Sequence, residues 1–419
     1  MRGADVSRLD KLIEKFCPDG VEFCKLKDVA EIGTGSSDRK NATDDGIYPF
    51  YVRSKDILKI NNYEFDEEAI VIPGEGGIGE IFHLVKGKYA LHQRAYRIHL
   101  KKKDVLIGFL FHYMKSNFKA FINKKAVSAT VTSIRKPMIE EFKLPVPPLE
   151  VQAEIVRILD SFTELEKELE KELELRRKQY EYYRDLLLDF RDVHAGGTNA
   201  YSVPWLADML HELCPDGVEY KTLGKVAVKI SDGMHNLPKG IREFGKYPIL
   251  SAQNINKGMI FTETSKWVNR EIFEIENRRT NVQKGDVLLT IVGAIGRTAV
   301  VEGELQALFQ RSICVIKPDI KLINSRYIAY CLDSTDIQNY MTSNAHGAAQ
   351  KGLYLKQVSE IKLPVPPLSV QQRIVDILDR FDALCNDLTS GLPAEIALRR
   401  KQYEYYRDKL LNFKELKVS

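Results

Sequence analysis

Apolar residues recur at alternating steps of three and four along residues 151–190, a stretch that contains no proline or glycine. Such a seven-residue repeat is typical of a long helix whose apolar seam packs against another helix. Glutamate and lysine fill the intervening positions, as expected of a solvated flank. The seam is interrupted at Glu166 and Arg176 and consists of Ile155, Leu159, Phe162, Leu169, Leu173, Tyr180, Tyr183, Leu187 and Phe190. The pattern therefore predicts one helix across the whole stretch.

A similar apolar pattern occupies residues 370–413. It is interrupted by Gly391-Leu392-Pro393. Proline in a helix interior removes a backbone hydrogen bond and collides with the preceding turn, so this second helix is predicted to end or kink there.

Three blocks of sequence occur twice and in the same order. CPDGVE stands at residues 17–22 and 214–219, KLPVPPL at 143–149 and 362–368, and RRKQYEYYRD at 176–185 and 399–408. This internal repeat predicts two homologous halves, each made of a globular insert and a helical spacer. The predicted boundaries are 1–143 and 197–362 for the globular domains, and 144–196 and 363–419 for the spacers.

The two inserts are predicted to be mixed α/β domains with a common fold, so the fold class is α+β with an internal tandem duplication. Residues 68–73, 89–100, 286–292 and 312–317 predict strands, and all of them except 89–100 are rich in β-branched residues. Residues 107–114 and 327–332 predict short amphipathic helices. Ile78-Gly79 matches Ile295-Gly296, and Gln93-Arg94 matches Gln310-Arg311, within otherwise divergent inserts.

Composition limits the function classes only weakly. The chain has 419 residues, with 62 Lys+Arg against 58 Asp+Glu, so any basic surface for nucleic acid must be local. Its 6 cysteines form no Cys-x-x-Cys pair, which favours a reducing compartment and offers no zinc ribbon. There is no apolar signal core at the N-terminus and no apolar run long enough to span a membrane. A soluble, cytoplasmic protein is expected.

Catalytic motifs are missing from the sequence. It contains no adenine-methyltransferase Asn/Asp-Pro-Pro-Tyr/Phe box, Walker A motif, His-Glu-x-x-His or Gly-x-Ser-x-Gly, and its histidines lack metal-ligand spacing. Residues 74–79 fit G-x-G-x-x-G, but a strand pattern follows where a dinucleotide or S-adenosylmethionine site would need a helix. A hairpin turn is predicted there instead, with no catalytic residue and no metal site in the chain.

Polar loops in both inserts carry the residue types that read DNA. Arginine and lysine suit guanine edges, asparagine and glutamine suit adenine edges, and serine and threonine suit either or the phosphates. The alternative for each residue taken singly is an ordinary solvated loop. The candidate DNA contacts are Arg53, Lys55, Gly76, Gln93, Arg94, Ser128, Thr130 and Thr132 in the first insert, and Gln253, Asn254, Lys257, Arg297, Gln310, Arg311, His346, Gln350 and Lys351 in the second.

The repeated blocks resemble those of the specificity (S) subunits of type I restriction–modification systems. The likeness covers nearly the whole chain. It rests on the tandem inserts, on LPVPPL followed by V-Q-x-x-I-V-x-I-L-D-x-F, and on the tyrosine-rich helix end. In the first copy this pattern places Gln152, Asp160 and Phe162, and in the second Gln371, Asp379 and Phe381.

The resemblance implies a non-catalytic DNA-recognition subunit with pseudo-two-fold symmetry. Each insert would be a target-recognition domain for one half of a bipartite, asymmetric DNA site, and antiparallel spacer helices would set the gap. Two methylation subunits, which would hold the S-adenosylmethionine, would dock on the repeats, and restriction subunits would join them. No cofactor is expected on this chain itself. The residues expected in helix packing or subunit docking are Tyr180, Tyr183, Arg184, Tyr403, Tyr406 and Arg407.

Two other function classes stay open on the sequence alone. A coiled-coil scaffold whose two inserts bind proteins would need no DNA-reading residues. A catalytic methyltransferase is disfavoured by the missing boxes. Steep weakening of DNA binding with rising salt would separate the DNA-binding protein from the scaffold.

Overall fold

The computed structural model describes residues 4–125, 133–191, 198–347, 351–387 and 389–416. Up to the end of the first long helix, the elements are α1 (Ala4–Phe16), β1 (Phe23–Lys25), α2 (Leu26–Val29), β2 (Ala30–Thr34), β3 (Tyr48–Tyr51), β4 (Ile57–Ile60), β5 (Phe65–Pro73), β6 (His83–Leu91), β7 (Ala95–Leu100), α3 (Ile107–Lys125), α4 (Lys136–Glu140), β8 (Lys143–Pro145) and α5 (Leu149–Leu188). The elements that follow are α6 (Pro204–Leu213), β9 (Tyr220–Thr222), α7 (Leu223–Val226), β10 (Ala227–Asp232), β11 (Tyr247–Leu250), β12 (Ile255–Asn256), β13 (Met259–Ile260), β14 (Trp267–Val268), α8 (Arg270–Glu276), β15 (Val287–Thr290), β16 (Thr298–Val300), β17 (Leu308–Phe309), β18 (Ile313–Pro318), α9 (Ser325–Asp333), α10 (Thr335–Ser343), α11 (Leu355–Ser359), β19 (Lys362–Pro364), α12 (Leu368–Asn386) and α13 (Leu392–Leu410).

The chain folds into two compact units, and the chain boundary between them falls inside the spacers. The first unit comprises Met1–Leu169 together with Ile396–Ser419, and the second comprises Glu170–Glu395. Each unit therefore contains one insert, the first part of the spacer that follows it, and the RRKQYEYYRD block of the other repeat. That exchange between repeats was not predicted from the sequence.

The first unit is built around a six-stranded sheet with the order β2-β7-β5-β6-β3-β4. All neighbours are antiparallel except β3 and β6, which run parallel. The Ser37 amide donates to the Leu91 carbonyl at 3.3 Å, so the end of β6 lies beside the chain that leaves β2 and the sheet curls.

The prediction of a single strand over residues 89–100 is wrong. The structure has two strands, β6 and β7, which lie on opposite sides of β5. They are separated by a turn at His92-Gln93-Arg94, closed by a hydrogen bond from the Ala95 amide to the His92 carbonyl at 2.9 Å. Three consecutive polar residues form this turn and interrupt the apolar pattern, so the sequence did carry a sign of the break. The predicted strands at 68–73, 286–292 and 312–317 correspond to β5, β15 and β18.

The second unit repeats this strand order. Its strands form one sheet of order β10-β18-β15-β16 and another of order β14-β11-β17, with β11 and β17 parallel. Here β16 and β17 together take the place of β6. The prediction that the inserts share a fold is confirmed, and the main difference is that one strand is divided into two.

The predicted long helix is confirmed as α5, which has 40 residues. The second spacer is instead two helices of 19 residues, α12 and α13, so the interruption ends the helix. In the intervening turn the Asp387 carboxylate accepts hydrogen bonds from the Thr389 amide at 2.7 Å and from the Ser390 hydroxyl. A Cβ atom on Gly391 would lie 2.5 Å from the Ala383 carbonyl oxygen, so a larger residue does not fit this turn.

Each unit packs two spacer helices in antiparallel register. In the first unit Phe162 on α5 contacts Tyr403 on α13, with ring centroids 6.4 Å apart. One helical turn later on α5, Glu166 pairs with Arg400, which comes one turn earlier on α13. In the second unit, the ring of Tyr183 on α5 stacks at 5.6 Å on that of Phe381 on α12. In the first unit, residue numbers thus increase along α5 as those of the contacting residues decrease along α13, which is the pattern of antiparallel helices.

The helix predicted at residues 107–114 is longer than expected. It extends as α3 to Lys125, because Phe118 and Ile122 continue its apolar face and are buried. Its rings pack with Phe142, whose centroid lies 5.3 Å from that of Phe118. The helix predicted at residues 327–332 is confirmed as α9.

The two ends of each insert meet in space. β1 pairs with β8 in the first unit, and β9 pairs with β19 in the second. The Leu26 amide donates to the Phe142 carbonyl at 2.8 Å, and the Leu223 amide donates to the Ile361 carbonyl at 2.7 Å. The chain therefore enters and leaves each insert through one short pair of strands, so each insert is a self-contained module.

Candidate nucleic-acid interface

Four segments of the first unit surround a cavity of about 300 Å³ that is lined mostly by polar residues. They are the segment between β2 and β3, the segment after β3, the turn between β5 and β6, and the turn between β6 and β7. The cavity is lined by Arg39, Val52, Arg53, Ser54, Glu75, Gly76 and His92. The structure thus brings Arg53 and Gly76 together, as two of the predicted contacts, and places the Gln93-Arg94 turn beside them.

His92 fixes the turn that carries the predicted contacts Gln93 and Arg94. Its ring is only 5% exposed, and its Nδ1 atom accepts a hydrogen bond from the Arg94 amide at 3.0 Å. Burial lowers the pKa of His92, and the nearby charge of Arg53 lowers it further. The imidazole is therefore held neutral. The Gln93 side chain donates to Asp38 at 3.3 Å.

Two arginines share one carboxylate at the edge of this cavity. Nη1 of Arg53 lies 2.7 Å from Oε2 of Glu75, and Nη1 of Arg94 lies 3.1 Å from the same oxygen. The hydrogen bond from Arg94, and then that from Arg53, holds the pKa of Glu75 below its ordinary value. All three side chains are at least one-third exposed, so they remain within reach of a ligand.

Gly76 and Lys55 occupy open positions near this group. Gly76 has a φ of +65°, and a Cβ atom there would meet nothing within 4 Å. The turn joins antiparallel strands β5 and β6, as the hairpin prediction required. Glu80 pairs with Lys119 at 2.6 Å, and this hydrogen bond lowers the pKa of Glu80, with a smaller contribution from the charge of the exposed Lys55.

The second unit has a cavity of about 440 Å³ at the equivalent place. It too lies between the segment after the Tyr-Pro strand, the turn that follows β15, and the Gln-Arg turn. Its lining brings together four predicted contacts: Gln253, Arg297, Gln310 and Arg311. Within the described part of the chain Arg311 forms no ion pair, in contrast to Arg94.

Asn254 does not belong to this surface, and the structure does not support it as a base contact. Its side chain is buried, its Oδ1 atom accepts from the Ser251 amide at 3.0 Å, and its Nδ2 atom donates to the Phe261 and Glu263 carbonyls. These bonds use its polar atoms to shape the loop. Lys257, by contrast, is exposed in the turn between β12 and β13, with a φ of +49°.

In each insert, a segment near the C-terminal end is hydrogen-bonded to the glycine-containing turn that lines the cavity. The Gly293 amide donates to the Lys351 carbonyl at 3.3 Å, and the adjacent Gly352 exchanges backbone hydrogen bonds with His346 at 2.9 Å. In the first unit the Ile134 amide similarly donates to the Gly74 carbonyl. His346 and Lys351 are exposed beside the second cavity. Ser128, Thr130, Thr132 and Gln350 lie outside the described residues.

Sequence reasoning missed the acid at the first cavity and a glycine at each one. Glu75 was noted only as one residue of the glycine-rich turn at residues 74–79 and was not predicted to contact a ligand. A Cβ atom on Gly35 would lie 1.8 Å from the Leu91 carbonyl oxygen, and one on Gly233 would lie 2.1 Å from that of Phe309. Only glycine allows this close approach to the chain just before each Gln-Arg turn. A glycine at corresponding places after β2 and β10 was a signal that could have been used.

The repeated tyrosines face their own units to different degrees. Tyr180 and Arg184 are buried, Tyr183 is on the margin of exposure, and Tyr403, Tyr406 and Arg407 are half-buried. Arg184 donates to the Thr335 hydroxyl at 3.3 Å. The tyrosines left open are Tyr182 and Tyr405, which are 55% and 64% exposed and were not predicted.

Within residues 4–125, 133–191, 198–347, 351–387 and 389–416, no group of three His, Cys, Asp or Glu side chains is arranged to hold a metal ion. None of the helices in these ranges is both long and apolar enough to cross a bilayer.

Comparison with known proteins gives consistent matches along the chain. A family model described as "Type I restriction modification DNA specificity domain" matches residues 18–175 and 215–398. A putative type I restriction enzyme specificity subunit of Haemophilus influenzae is 29% identical over 97% of this chain and 98% of its own length. The EcoR124I/EcoR124II specificity subunit of Escherichia coli is 31% identical over 65% of this chain and 63% of its own length.

Solved structures support the same fold. The type I restriction–modification S subunit of M. genitalium matches with a TM-score of 0.56 and 18% identity, over 94% of this chain and 96% of that one. A chain from a structural study of complex assembly and conformational transition of the type I R-M system matches with a TM-score of 0.55 and 17% identity, over 94% and 98%. At these identities the matches bear on the fold alone.

Proposed function

Because the chain belongs to the type I restriction–modification DNA specificity family, we propose that each of its two units binds one half of a bipartite, asymmetric DNA site. The family's role is sequence recognition, and this chain is the non-catalytic recognition component. The scaffold alternative is not favoured by the comparisons.

The observation that carries the two-reader proposal is the repeated cavity with different side chains. Both units place a Gln-Arg turn beside an open, polar cavity, at Arg94 and at Arg311. The other residues that line the two cavities differ: the first cavity has Arg53 and Glu75, whereas the second has Gln253 and Arg297. Arginine and glutamine can each bond two atoms of a base edge in the major groove. Different side chains on one frame should read different half-sites.

Affinity for DNA would come largely from phosphate contacts, which carry little sequence information. Lys55, Lys257 and Lys351 are exposed near the two cavities and suit this role. Two weak readers in one chain gain from effective concentration, so neither half-site needs to be bound tightly by itself.

The partners belong to the same proposal. Two methylation subunits would dock on the spacer helices and supply both the S-adenosylmethionine and the methyl transfer, and restriction subunits would join for cleavage. The exposed rings of Tyr182 and Tyr405 offer equivalent docking positions on the two copies of RRKQYEYYRD. Paired aromatic residues of this kind are enriched where proteins associate.

Exchange of one insert tests the proposal. Residues 26–142 would be replaced by the corresponding insert of a relative, with the junction at the Leu26–Phe142 hydrogen bond preserved. The chimaera would be expressed with its methylation subunits, and methylated adenines would be mapped across the host genome. One half of the motif should change while the other stays as it was. A change in both halves, or in neither, contradicts reading by separate units.

The reciprocal exchange of residues 223–361 is the matched control. It should change only the other half of the motif. Purified chain without partners, incubated with DNA and labelled S-adenosylmethionine, should transfer no methyl groups. Methyl transfer under these conditions would contradict the non-catalytic assignment.

A further inference from the structure

The two-reader proposal assigns no base contact to Glu75, yet this residue lines the first cavity and pairs with two of the predicted DNA contacts, Arg53 and Arg94. Its Oε2 atom lies 2.7 Å from Nη1 of Arg53 and 3.1 Å from Nη1 of Arg94. The bonds leave most of the remaining N–H groups of both guanidinium ions available, and they leave Oε1 only a long contact of 3.4 Å to Arg94. The group therefore presents both donors and an acceptor to a ligand.

The acid is particular to the first unit. Counting back from the matched Ile78-Gly79 and Ile295-Gly296 pairs, the position of Glu75 is taken by Val292. The structure supports this equivalence, because Glu75 forms a backbone bridge with Ser133 and Val292 forms one with Gly352. The common frame therefore does not require a carboxylate here.

A carboxylate between two arginines changes what the pair can bind. A phosphate group offers only acceptors, so an arginine that turns to a phosphate gives up its bond to Glu75 and brings a second negative charge beside the carboxylate. That loss and the repulsion between the two anions disfavour phosphate binding by this group. A ligand that offers acceptors next to a donor can satisfy the arginine and the carboxylate together.

A G·C pair offers that combination in the major groove. Guanine presents its O6 and N7 acceptors, which suit arginine, and its cytosine partner presents the N4 amino donor, which suits a carboxylate. An A·T pair has a donor flanked by single acceptors and lacks the two adjacent acceptors that bind arginine in a bidentate way.

We propose that Glu75 is a specificity-determining residue, which selects a G·C pair in the half-site of the first unit. Arg94, supported through Glu75 by Arg53, binds the guanine edge, and the carboxylate accepts a hydrogen bond from the cytosine amino group. This inference rests on the two-reader proposal and adds the identity of one base pair to it.

The test is the methylated motif of Glu75→Ala, made in the full chain and assembled with its methylation subunits. The variant should accept other base pairs at one G·C position of the first half-site, with discrimination there reduced on the order of tenfold or more. Arg94→Ala should relax the same position. The second half-site should not change in either variant.

Glu80→Ala is the matched control. Glu80 lies in the same turn, carries the same charge and also forms an ion pair, but with Lys119 at 2.6 Å and not with either arginine. Its motif should be that of the unaltered protein. A Glu75→Ala motif identical to that of Glu80→Ala, or one relaxed at an A·T pair or at a different position from Arg94→Ala, overturns the proposal.

Two further measurements keep the outcome decisive. If Glu75→Ala does not methylate, its binding to duplexes substituted at each pair of the half-site is compared with that of Glu80→Ala, and an unchanged order of preference overturns the proposal. Failure of the two-reader proposal itself is recognised separately, because exchange of residues 26–142 in the otherwise unaltered protein would then change both halves of the motif or neither.

Discussion

The ring of Phe162 stacks on that of Tyr406 in the first unit, with centroids 5.5 Å apart and planes 26° apart. The second unit has the same stack between Phe381 and Tyr183, at 5.6 Å and 24°. Phe162 and Tyr183 belong to one repeat, and Phe381 and Tyr406 to the other. Each stack therefore joins the two repeats, and neither unit is complete without a helix from the other half of the sequence.

Loss of the Phe162 ring should destabilise the first unit. Phe162→Ala removes a side chain that is 5% exposed, and buried phenylalanine-to-alanine changes cost about 3–5 kcal/mol. Denaturant unfolding of the full chain, followed by hydrogen exchange of the α13 amides, should show the loss. Leu175→Ala on α5 is the control, because Leu175 is 53% exposed and should change stability little. Equal effects of the two substitutions would contradict the role of the stack.

A buried glutamine at the start of each spacer should be equally sensitive. Gln152 accepts a hydrogen bond from the Leu106 amide at 2.8 Å and donates to the Asp104 and Pro147 carbonyls at 2.7 Å. Gln371 makes the equivalent three bonds in the second unit. Leucine at either position leaves buried backbone groups unpaired, at about 1–3 kcal/mol each.

Thermal unfolding would check this prediction, with Gln372→Leu as the neighbouring control. Gln372 is exposed, and its bonds to Asn324 and Asp376 are replaceable by water. Its substitution should shift the melting temperature far less than that of Gln371. Similar shifts for both would show that the buried bonds do not stabilise the junction.

Asp333 should make the stability of the second unit fall as pH rises. Burial raises its pKa to about 7, against an ordinary value of 3.8, although the Thr298 hydroxyl donates to it at 2.9 Å. The folded protein then keeps a proton that the unfolded chain has lost. Between pH 4 and pH 7 the free energy of unfolding should decrease by up to about 1.4 kcal/mol per pH unit from this group, and level off above.

Asp333→Asn removes that titration and should flatten this part of the profile. Urea unfolding of both proteins at a series of pH values measures it. The stability of the variant relative to the unaltered protein should increase from pH 4 to pH 7. A difference that is independent of pH would contradict the raised pKa.

Arg311 should contribute to DNA recognition and not to folding. It forms no ion pair among the residues that the structure describes, so Arg311→Ala should leave the melting temperature unchanged. A base-reading arginine is worth roughly 1–3 kcal/mol of binding and specifies one position. Competition binding with duplexes altered in the second half-site would measure this. Arg270→Ala, which removes an exposed arginine paired with Glu274, is the control. Unchanged affinity and specificity for Arg311→Ala would reject the contact.

Lengthening the spacers by one heptad should lengthen the unspecified gap in the motif. Seven residues add about 10 Å of helix, or about three base pairs of B-DNA, and preserve the apolar seam. The two insertions should follow Leu169 in α5 and precede Ile396 in α13, because both positions lie within a helix and at the chain boundary between the two units.

The methylated motif of this double insertion is the readout. Both half-sites should stay the same, although rotation around the duplex weakens binding. A four-residue insertion should perform worse, since it moves the seam off its partner. Full activity with an unchanged gap would show that the helices do not set the spacing.

Local sequence patterns were sufficient for the large features of the fold. Forty residues without proline or glycine and with a seven-residue apolar repeat predicted α5. Gly391 and Pro393 predicted the break between α12 and α13 in the second spacer. The repeated blocks marked the ends of each insert to within the hydrogen-bonded junctions at Leu26 and Leu223. These features depend on neighbours in the chain, whose chemistry the sequence displays directly.

The sequence by itself determined that there are two homologous inserts and two helical spacers, and which loops carry DNA-reading residue types. Only the tertiary structure decided which copy of RRKQYEYYRD packs on which insert, because two identical ten-residue segments cannot by themselves favour different inserts. It also decided that Glu75 lies between Arg53 and Arg94 and that Asn254 is buried. Such pairings join residues from separate loops, and no local periodicity records them; they exist only once the sheet has brought the loops together.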